Sequence, residues 1–312
     1  QPRSRGLGDV YKRQVHEIAQ QCDPVATHAR FNPRARALVD LETARSWNYA
    51  ALDRAVDRLA AWLVGEYGPG SAQRVATLAR NCAEMLILQL ACVRAGCIFV
   101  PFNWRLAAPE IEALAGDAEP ALVFHDPEFT APAAAARAMP IAGMLALGED
   151  GAVPPAAARR GFAETTTLLY TSGTSGRPKG VMLSEQTAFW GCTNFIHGND
   201  VTMHSVFLCD MPLFHTAGLF AATRVPILAG GAVLISRGFD PQLTLERLTD
   251  PELKVTHYFS VPQMAATLWN QPGFKAESLR GLVGWAIGGA PNPKAQTERF
   301  TAAGIRITEG FG

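Results

Sequence analysis

Leu168-Leu-Tyr-Thr-Ser-Gly-Thr-Ser-Gly-Arg-Pro-Lys-Gly-Val-Met-Leu183 carries more information than any other stretch of this 312-residue chain. An apolar, strand-like entry over 167–170 runs into a loop bearing Thr171, Ser172, Thr174 and Ser175, with Gly173 and Gly176 between them. Lys179 follows, then a second apolar run over 181–183. Glycines let backbone N–H groups converge on one point, hydroxyls add donors, and a lysine adds a full positive charge. That combination suits a polyphosphate. A Walker A loop is excluded, because no Gly-Lys-Ser/Thr occurs and Pro178 blocks the helix that would have to begin there. An ordinary Ser/Gly surface turn explains the glycines and hydroxyls. It does not explain a lysine between Pro178 and Gly180, flanked by two strands that read as buried.

Outward from this loop the chain alternates strands and helices. Asn48 is placed to cap a helix whose apolar face is Leu52, Val56, Leu59, Ala60 and Leu63, with Asp53, Arg54, Asp57 and Arg58 outward. Gly65 and Gly68-Pro69-Gly70 should stop it. Residues 74–79 read as a strand, and Asn81-x-x-Glu84 reads as a capping box for a helix running to Arg94 and ending at Gly96. A buried strand over 98–101 completes a strand–helix–strand unit and favours a parallel sheet. An acidic helix around 110–114 and a strand over 121–125 come next. The Ala/Pro-rich segment 126–160 reads as a surface connection. Beyond the loop, the pattern predicts helices near 186–195 and 219–228, and strands over 206–210, 232–235, 256–260 and 283–287. The fold class is therefore α/β, with mostly parallel sheets flanked by helices. The expected division is a first α/β subdomain over 15–160 and a second over 161–312.

Composition narrows the function. Twenty-eight basic residues balance 28 acidic ones, which gives no electrostatic reason to expect nucleic acid or a charged membrane surface as partner. The six cysteines form no Cys-x-x-Cys pair and no metal spacing, and several sit in apolar runs. This favours a reducing, cytoplasmic setting. The longest apolar stretch, 206–235, is broken by Asp210, Pro212, His215, Arg224, Pro226 and Gly230-Gly231, so it reads as core and not as a membrane span. Residues 1–14 are polar and basic, with no apolar run, and read as an expression or assembly scar outside the fold.

The loop resembles the phosphate-binding signature of the adenylate-forming superfamily, the acyl-CoA synthetases, luciferases and peptide-synthetase adenylation domains. Ser175 stands where Thr is commoner, which keeps the hydroxyl. Leu183-Ser-Glu-Gln-Thr187 departs from the usual Leu-Ser-His-x-Asn and removes a basic residue. The resemblance runs from about residue 15 to the end. It implies the layered large N-terminal domain of such enzymes, with Thr171, Ser172, Gly173, Thr174, Ser175, Gly176 and Lys179 binding the phosphates of ATP.

Other segments fit the same family. Met211-Pro-Leu-Phe-His-Thr-Ala-Gly218 follows a predicted strand end, where α/β sheets place ligands. On residue type alone His215 reads equally as a structural side chain, but the match to the family's Pro-Leu-Phe-His segment implies that it borders the meeting point of carboxylate and α-phosphate. Its implied role is positioning or gating. Trp285-Ala-Ile-Gly-Gly-Ala-Pro-Asn-Pro293 reads equally as an ordinary strand-to-helix turn. By resemblance Gly289, Ala290 and Pro291 line the adenine pocket. Val261-Pro-Gln-Met264 reads either as core or as the wall of the acyl tunnel. Asn103-Trp-Arg-Leu106 is a marker shared with many acyl-CoA synthetases. Phe311 and Gly312 match the first two positions of an aromatic-Gly-x-Thr-Glu motif, Phe311 being expected to stack on adenine; Thr308 and Glu309 precede it and are not that motif's Thr and Glu. By the same comparison the chain reads as a fragment, inactive alone, without the small C-terminal domain and its lysine.

The resemblance implies ATP-dependent activation of a fatty or aryl carboxylic acid to an acyl adenylate, followed by thioester formation with CoA. ATP, Mg²⁺ and CoA are the cofactors it implies, with catalysis resting on positioning and charge stabilisation. The alternatives are an adenylation domain loading a carrier protein, and a non-catalytic nucleotide- or acyl-binding protein.

Overall fold

The computed structural model describes residues 23–155, 158–171 and 179–310. Six strands form one sheet in the order β6-β5-β3-β4-β7-β8: β3 (Arg74–Leu78), β4 (Ile98–Pro101), β5 (Leu122–His125), β6 (Ala138–Pro140), β7 (Thr165–Thr171) and β8 (Lys179–Ser184). Only the β7–β8 pair is antiparallel. Seven strands form the other sheet in the order β13-β12-β11-β9-β10-β1-β2: β1 (Arg36–Asp40), β2 (Arg45–Asn48), β9 (Val206–Cys209), β10 (Ala232–Ile235), β11 (His257–Ser260), β12 (Gly284–Ile287) and β13 (Ile307–Glu309). All its pairs are parallel except β1–β2.

The helices complete a layered arrangement. Between the sheets lie α2 (Tyr49–Tyr67) and α3 (Ala83–Ala95), sharing one core with Leu38, Val233 and Ile235 from one sheet and Val75, Phe99 and Phe124 from the other. The helix α3 is apolar nearly all round because both its faces are covered. On the far face of the six-stranded sheet, Ile111 and Leu114 of α4 (Ala108–Ala118) pack on Ala76, Val100 and Val123. On the far face of the seven-stranded sheet, α7 (Pro241–Thr249), α8 (Pro262–Trp269) and α10 (Lys294–Ala302) cover Leu208, Leu234, Trp285 and Ile287. The short helices α1 (Pro24–Phe31), α6 (Val225–Ala229) and α9 (Ala276–Leu279) and the longer α5 (Glu185–Gly198) complete the set among the described residues.

Several expectations hold. Asn48 caps α2, its side chain accepting from the Ala51 N–H at 2.8 Å. Residues 74–101 do form a parallel strand–helix–strand unit, ended at Gly96 in the left-handed conformation. Gly65 does not interrupt α2, which continues to Tyr67 before Gly68.

The capping box at Asn81 and Glu84 does not form. The N-cap of α3 is Cys82, and Asp40 at the end of β1 accepts the Ala83 N–H at 3.1 Å. Glu84 pairs instead with Arg45 at 2.6 Å. Asp53 and Asp57 are not free on the outer face of α2, since Arg94 holds both at 2.6 Å. The segment 126–160 is more than a connection, because it supplies the edge strand β6 and the buried side chains Ile141 and Met144. The second strand beside the loop is not buried: β8 lies at the edge of its sheet, and Val181 and Met182 are exposed.

Candidate active site

Four neighbouring parallel strands, β9, β11, β12 and β13, end on the same side of the seven-stranded sheet, where open α/β sheets offer a ligand crevice. A cavity of about 430 Å³ opens there. Its walls come from the end of β8 (Leu183), one face of α5 (Thr187, Ala188, Gly191, Cys192, Phe195), a π-helical segment Ala217–Arg224 (Ala217, Phe220, Ala221), and the turns after β12 and β13 (Gly288, Gly289, Gly310). Ser184 caps α5, accepting the Thr187 N–H at 3.1 Å, so the hairpin carrying the phosphate-loop signature feeds directly into the cavity wall.

The segment 211–218 is tightly positioned. The buried Asn81 carboxamide donates to the Met211 carbonyl at 2.8 Å and accepts the Leu213 N–H at 2.9 Å. A Cβ on Gly218 would sit 2.2 Å from the Pro212 carbonyl oxygen, so only glycine lets the chain close this turn. His215 projects to the surface beside Phe214, with ring centroids 4.6 Å apart. Partial desolvation and the Arg105 guanidinium both lower its pKa, which favours the neutral imidazole. Arg105 itself lies over the rings of Trp104 and Phe214.

The turn after β12 leaves little room for side chains. A Cβ on Gly288 would meet the Gly310 carbonyl oxygen at 3.0 Å and the Phe259 ring at 3.1 Å, and Gly289 has φ of +80°. The two glycines thus leave a cradle of bare backbone at this turn. Beyond it, Asn292 donates to Glu309 at 3.2 Å and ties the turn to the end of β13.

Thr171 ends β7 and pairs with Lys179, which begins β8. These two residues bracket the loop. Ser172, Gly173, Thr174, Ser175 and Gly176 lie outside the described residues, as do Phe311, Gly312 and the segment 1–14. Lys179 is exposed and sits at the opposite end of β8 from the cavity-lining Leu183. Ala290 and Pro291 are exposed beyond the cradle. Thr216, and not His215, reaches the cavity wall. Val261 and Met264 pack with Met211, Phe259 and Ala286 beside it. Asn81, Cys192, Phe195 and Phe220 were not marked by sequence pattern, since each reads as cap or core until the folded chain brings them to this end of the sheet.

The profile of the AMP-binding enzymes matches residues 25–312. The chain belongs to that family. Among curated proteins it is 34% identical to a feruloyl-CoA synthase of an Amycolatopsis species, over 91% of this chain and 57% of the relative. It is 29% identical to the indoleacetate–CoA ligase of Aromatoleum aromaticum, over 91% of this chain and 58% of the relative. The chain thus spans little more than half the length of these relatives. Its fold matches the inhibitor-bound N-terminal domain of FACL13 from Mycobacterium tuberculosis with a TM-score of 0.81 and 25% identity, covering 93% of this chain and 74% of that one. The α/β architecture read from sequence is that of the N-terminal domains of adenylate-forming enzymes.

Among the described residues no group of three or more His, Cys, Asp or Glu side chains is placed to hold a metal ion. No helix among them is long and apolar enough to cross a membrane. Five cysteines, 82, 92, 97, 192 and 209, are free thiols.

Proposed function

We propose that this chain is the acid- and ATP-binding part of an acyl-CoA synthetase acting on an apolar, aryl or fatty carboxylic acid. The observation that carries the reading is the apolar cavity between the phosphate-loop hairpin, the 211–218 segment and the Gly288–Gly289 cradle. Among the described residues that line it, none carries a charged side chain. The names of the two aryl-acid relatives favour an aryl acid. In this reading Thr171, Ser172, Thr174, Ser175, the loop amides and Lys179 hold the β- and γ-phosphates of ATP. Gly289, Ala290 and Pro291, with Phe311 and Gly312, take the adenine, and His215 positions the carboxylate at the α-phosphate.

The chemistry asks for positioning more than for a nucleophile on the enzyme. A carboxylate oxygen attacks the α-phosphorus, the bond to the β-phosphate oxygen breaks, and pyrophosphate leaves. The CoA thiol then attacks the acyl carbon and AMP departs. Bringing two anions together is the obstacle, and aligned donors lower it by holding charge without reorganising. His215 is best suited to this as a neutral hydrogen-bonding side chain. Mg²⁺ would enter with the ATP phosphates and would neutralise part of their charge. Carboxylate-dependent exchange of pyrophosphate into ATP, run with ferulate, indoleacetate and alkanoates on the product of the whole open reading frame, tests the reading. Exchange with at least one acid is expected; none with any acid refutes it.

A further inference from the structure

The cavity backs onto charge. Ala188 and Cys192 on its α5 wall also line a second space of about 20 Å³, whose other walls include Glu185 and Arg224. A third space, also about 20 Å³, shares Glu185 and Arg224 and extends to Arg94. The first two spaces share Ala188 and Cys192, and the second and third share Pro24, Glu185 and Arg224, so the pair Glu185–Arg224 lies behind the α5 wall of the cavity. Arg224 Nη2 donates to Glu185 Oε2 at 2.7 Å, and its Nη1 donates to Gln89 Oε1 at 2.9 Å. The Thr166 hydroxyl donates to Glu185 Oε1 at 3.2 Å. Only 8% of the Arg224 side chain and 18% of the Glu185 side chain are exposed.

A pair also held by Gln89 and Thr166 does not part for a hydrocarbon, because separation strands two desolvated charges. Arg224 closes the π-helical segment whose Phe220 and Ala221 line the cavity, and Glu185 opens the helix that lines it opposite. One ion pair therefore ties the two walls together. We propose that Glu185–Arg224 is the floor of the acid cavity and determines the length of tail it accepts. An uncharged apolar tail fits as far as Ala188 and Cys192, and longer tails are refused. The inference rests on the reading that this cavity receives the acid's tail.

The test is calorimetric titration of the 312-residue chain with 5′-O-(N-alkanoylsulfamoyl)adenosines of increasing tail length. Each methylene that enters apolar space should raise affinity about fourfold, until the tail meets the floor and the gain stops. The double substitution Glu185→Ala with Arg224→Ala removes both charges, so neither is left unpaired, and should move that break at least about two carbons longer. An unmoved break overturns the floor. No gain with length in the unsubstituted chain overturns the reading that the cavity takes the tail. Should the double variant not fold, Cys192→Ala decides: it thins the wall and leaves the pair in place. A break displaced by about one carbon and no further supports the floor; an unchanged or vanished break overturns it.

Discussion

Asp23 and Asp210 are both withdrawn from water, with 12% of the Asp23 side chain and 1% of Asp210 exposed, yet they are held in opposite ways. Asp23 begins α1, and Arg94 reaches it from α3 with Nε at 2.7 Å while Arg159 also pairs with it. Burial alone would raise its pKa, but the attraction and hydrogen bonding of Arg94, with Arg159, override this and hold it well below the carboxylate range. Asp210 follows β9, at the strand ends that form the site. Its partners are the neutral hydroxyls of Thr244 at 2.8 Å and Tyr258 at 2.9 Å. Burial dominates there, and the pKa rises from an ordinary 3.8 to about 6. At Asp23 charge is matched with charge. At Asp210 a carboxyl is held by hydroxyl dipoles, which leaves its protonation sensitive to pH near 6.

Removing the charge at the first region should have the largest effect. Arg94→Leu leaves Asp23, Asp53 and Asp57 facing one another without their shared guanidinium, and a loss of about 3–5 kcal/mol is expected in urea unfolding. A loss under about 1 kcal/mol would mean that Arg159 and water satisfy the cluster, and the contrast between the regions would collapse.

Asp210 sharpens the contrast through pH. A folded-state pKa above the unfolded one means that the folded chain holds the extra proton. This carboxyl's contribution is then complete below about pH 4 and is lost as pH rises through about 6, a change of roughly 3 kcal/mol. Asp23 runs the other way: its contribution is present above about pH 4 and is lost only in strong acid, as pH falls through its depressed pKa. Asp210→Asn should remove the first slope and leave the second, read as unfolding free energy against pH. A variant whose profile parallels the parent would show that Asp210 is not the titrating group.

Asn81→Ala is expected to cost about 2–3 kcal/mol, since it leaves the buried Leu213 N–H without its partner and the Met211 carbonyl with only the weak Cys209 thiol donor. It should also lower acid-dependent exchange by loosening the segment that carries His215, whereas a stability loss with unaltered exchange would confine Asn81 to the core. Lys179→Ala should have the smallest effect on folding, within about 0.5 kcal/mol because the residue is exposed, while weakening ATP binding. Unchanged affinity for ATP would remove Lys179 from the phosphate site.

How far the sequence could be read depended on the range of the interactions involved. Helix α2 was readable because its cap and apolar stripe are local, set by Asn48 and the spacing of Leu52, Val56, Leu59 and Leu63. The strand–helix–strand unit over 74–101 was readable for the same reason. Asn81 misled because its spacing to Glu84 imitates a local cap, while its true partners lie about 130 residues away in the chain. The helix expected near 219–228 is π-helical over Ala217–Arg224, where it packs against α5 and β9, before turning α-helical. The exposed β8 was misread because Val181 and Met182 are apolar, whereas its edge position is a property of the sheet.

The α/β class, the strand–helix–strand unit over 74–101, the family and the hydroxyl-, glycine- and lysine-bearing loop were determined by the sequence itself. They rest on residue type and short-range periodicity, which need no knowledge of what folds against what. Tertiary structure alone decided which sheet edge each strand occupies, that Asn81 grips the 211–218 segment, and that Glu185 pairs with Arg224 between α5 and the π-helical segment. These are contacts between residues distant in the chain, and no local pattern encodes them, because their energies exist only once two layers have already come together.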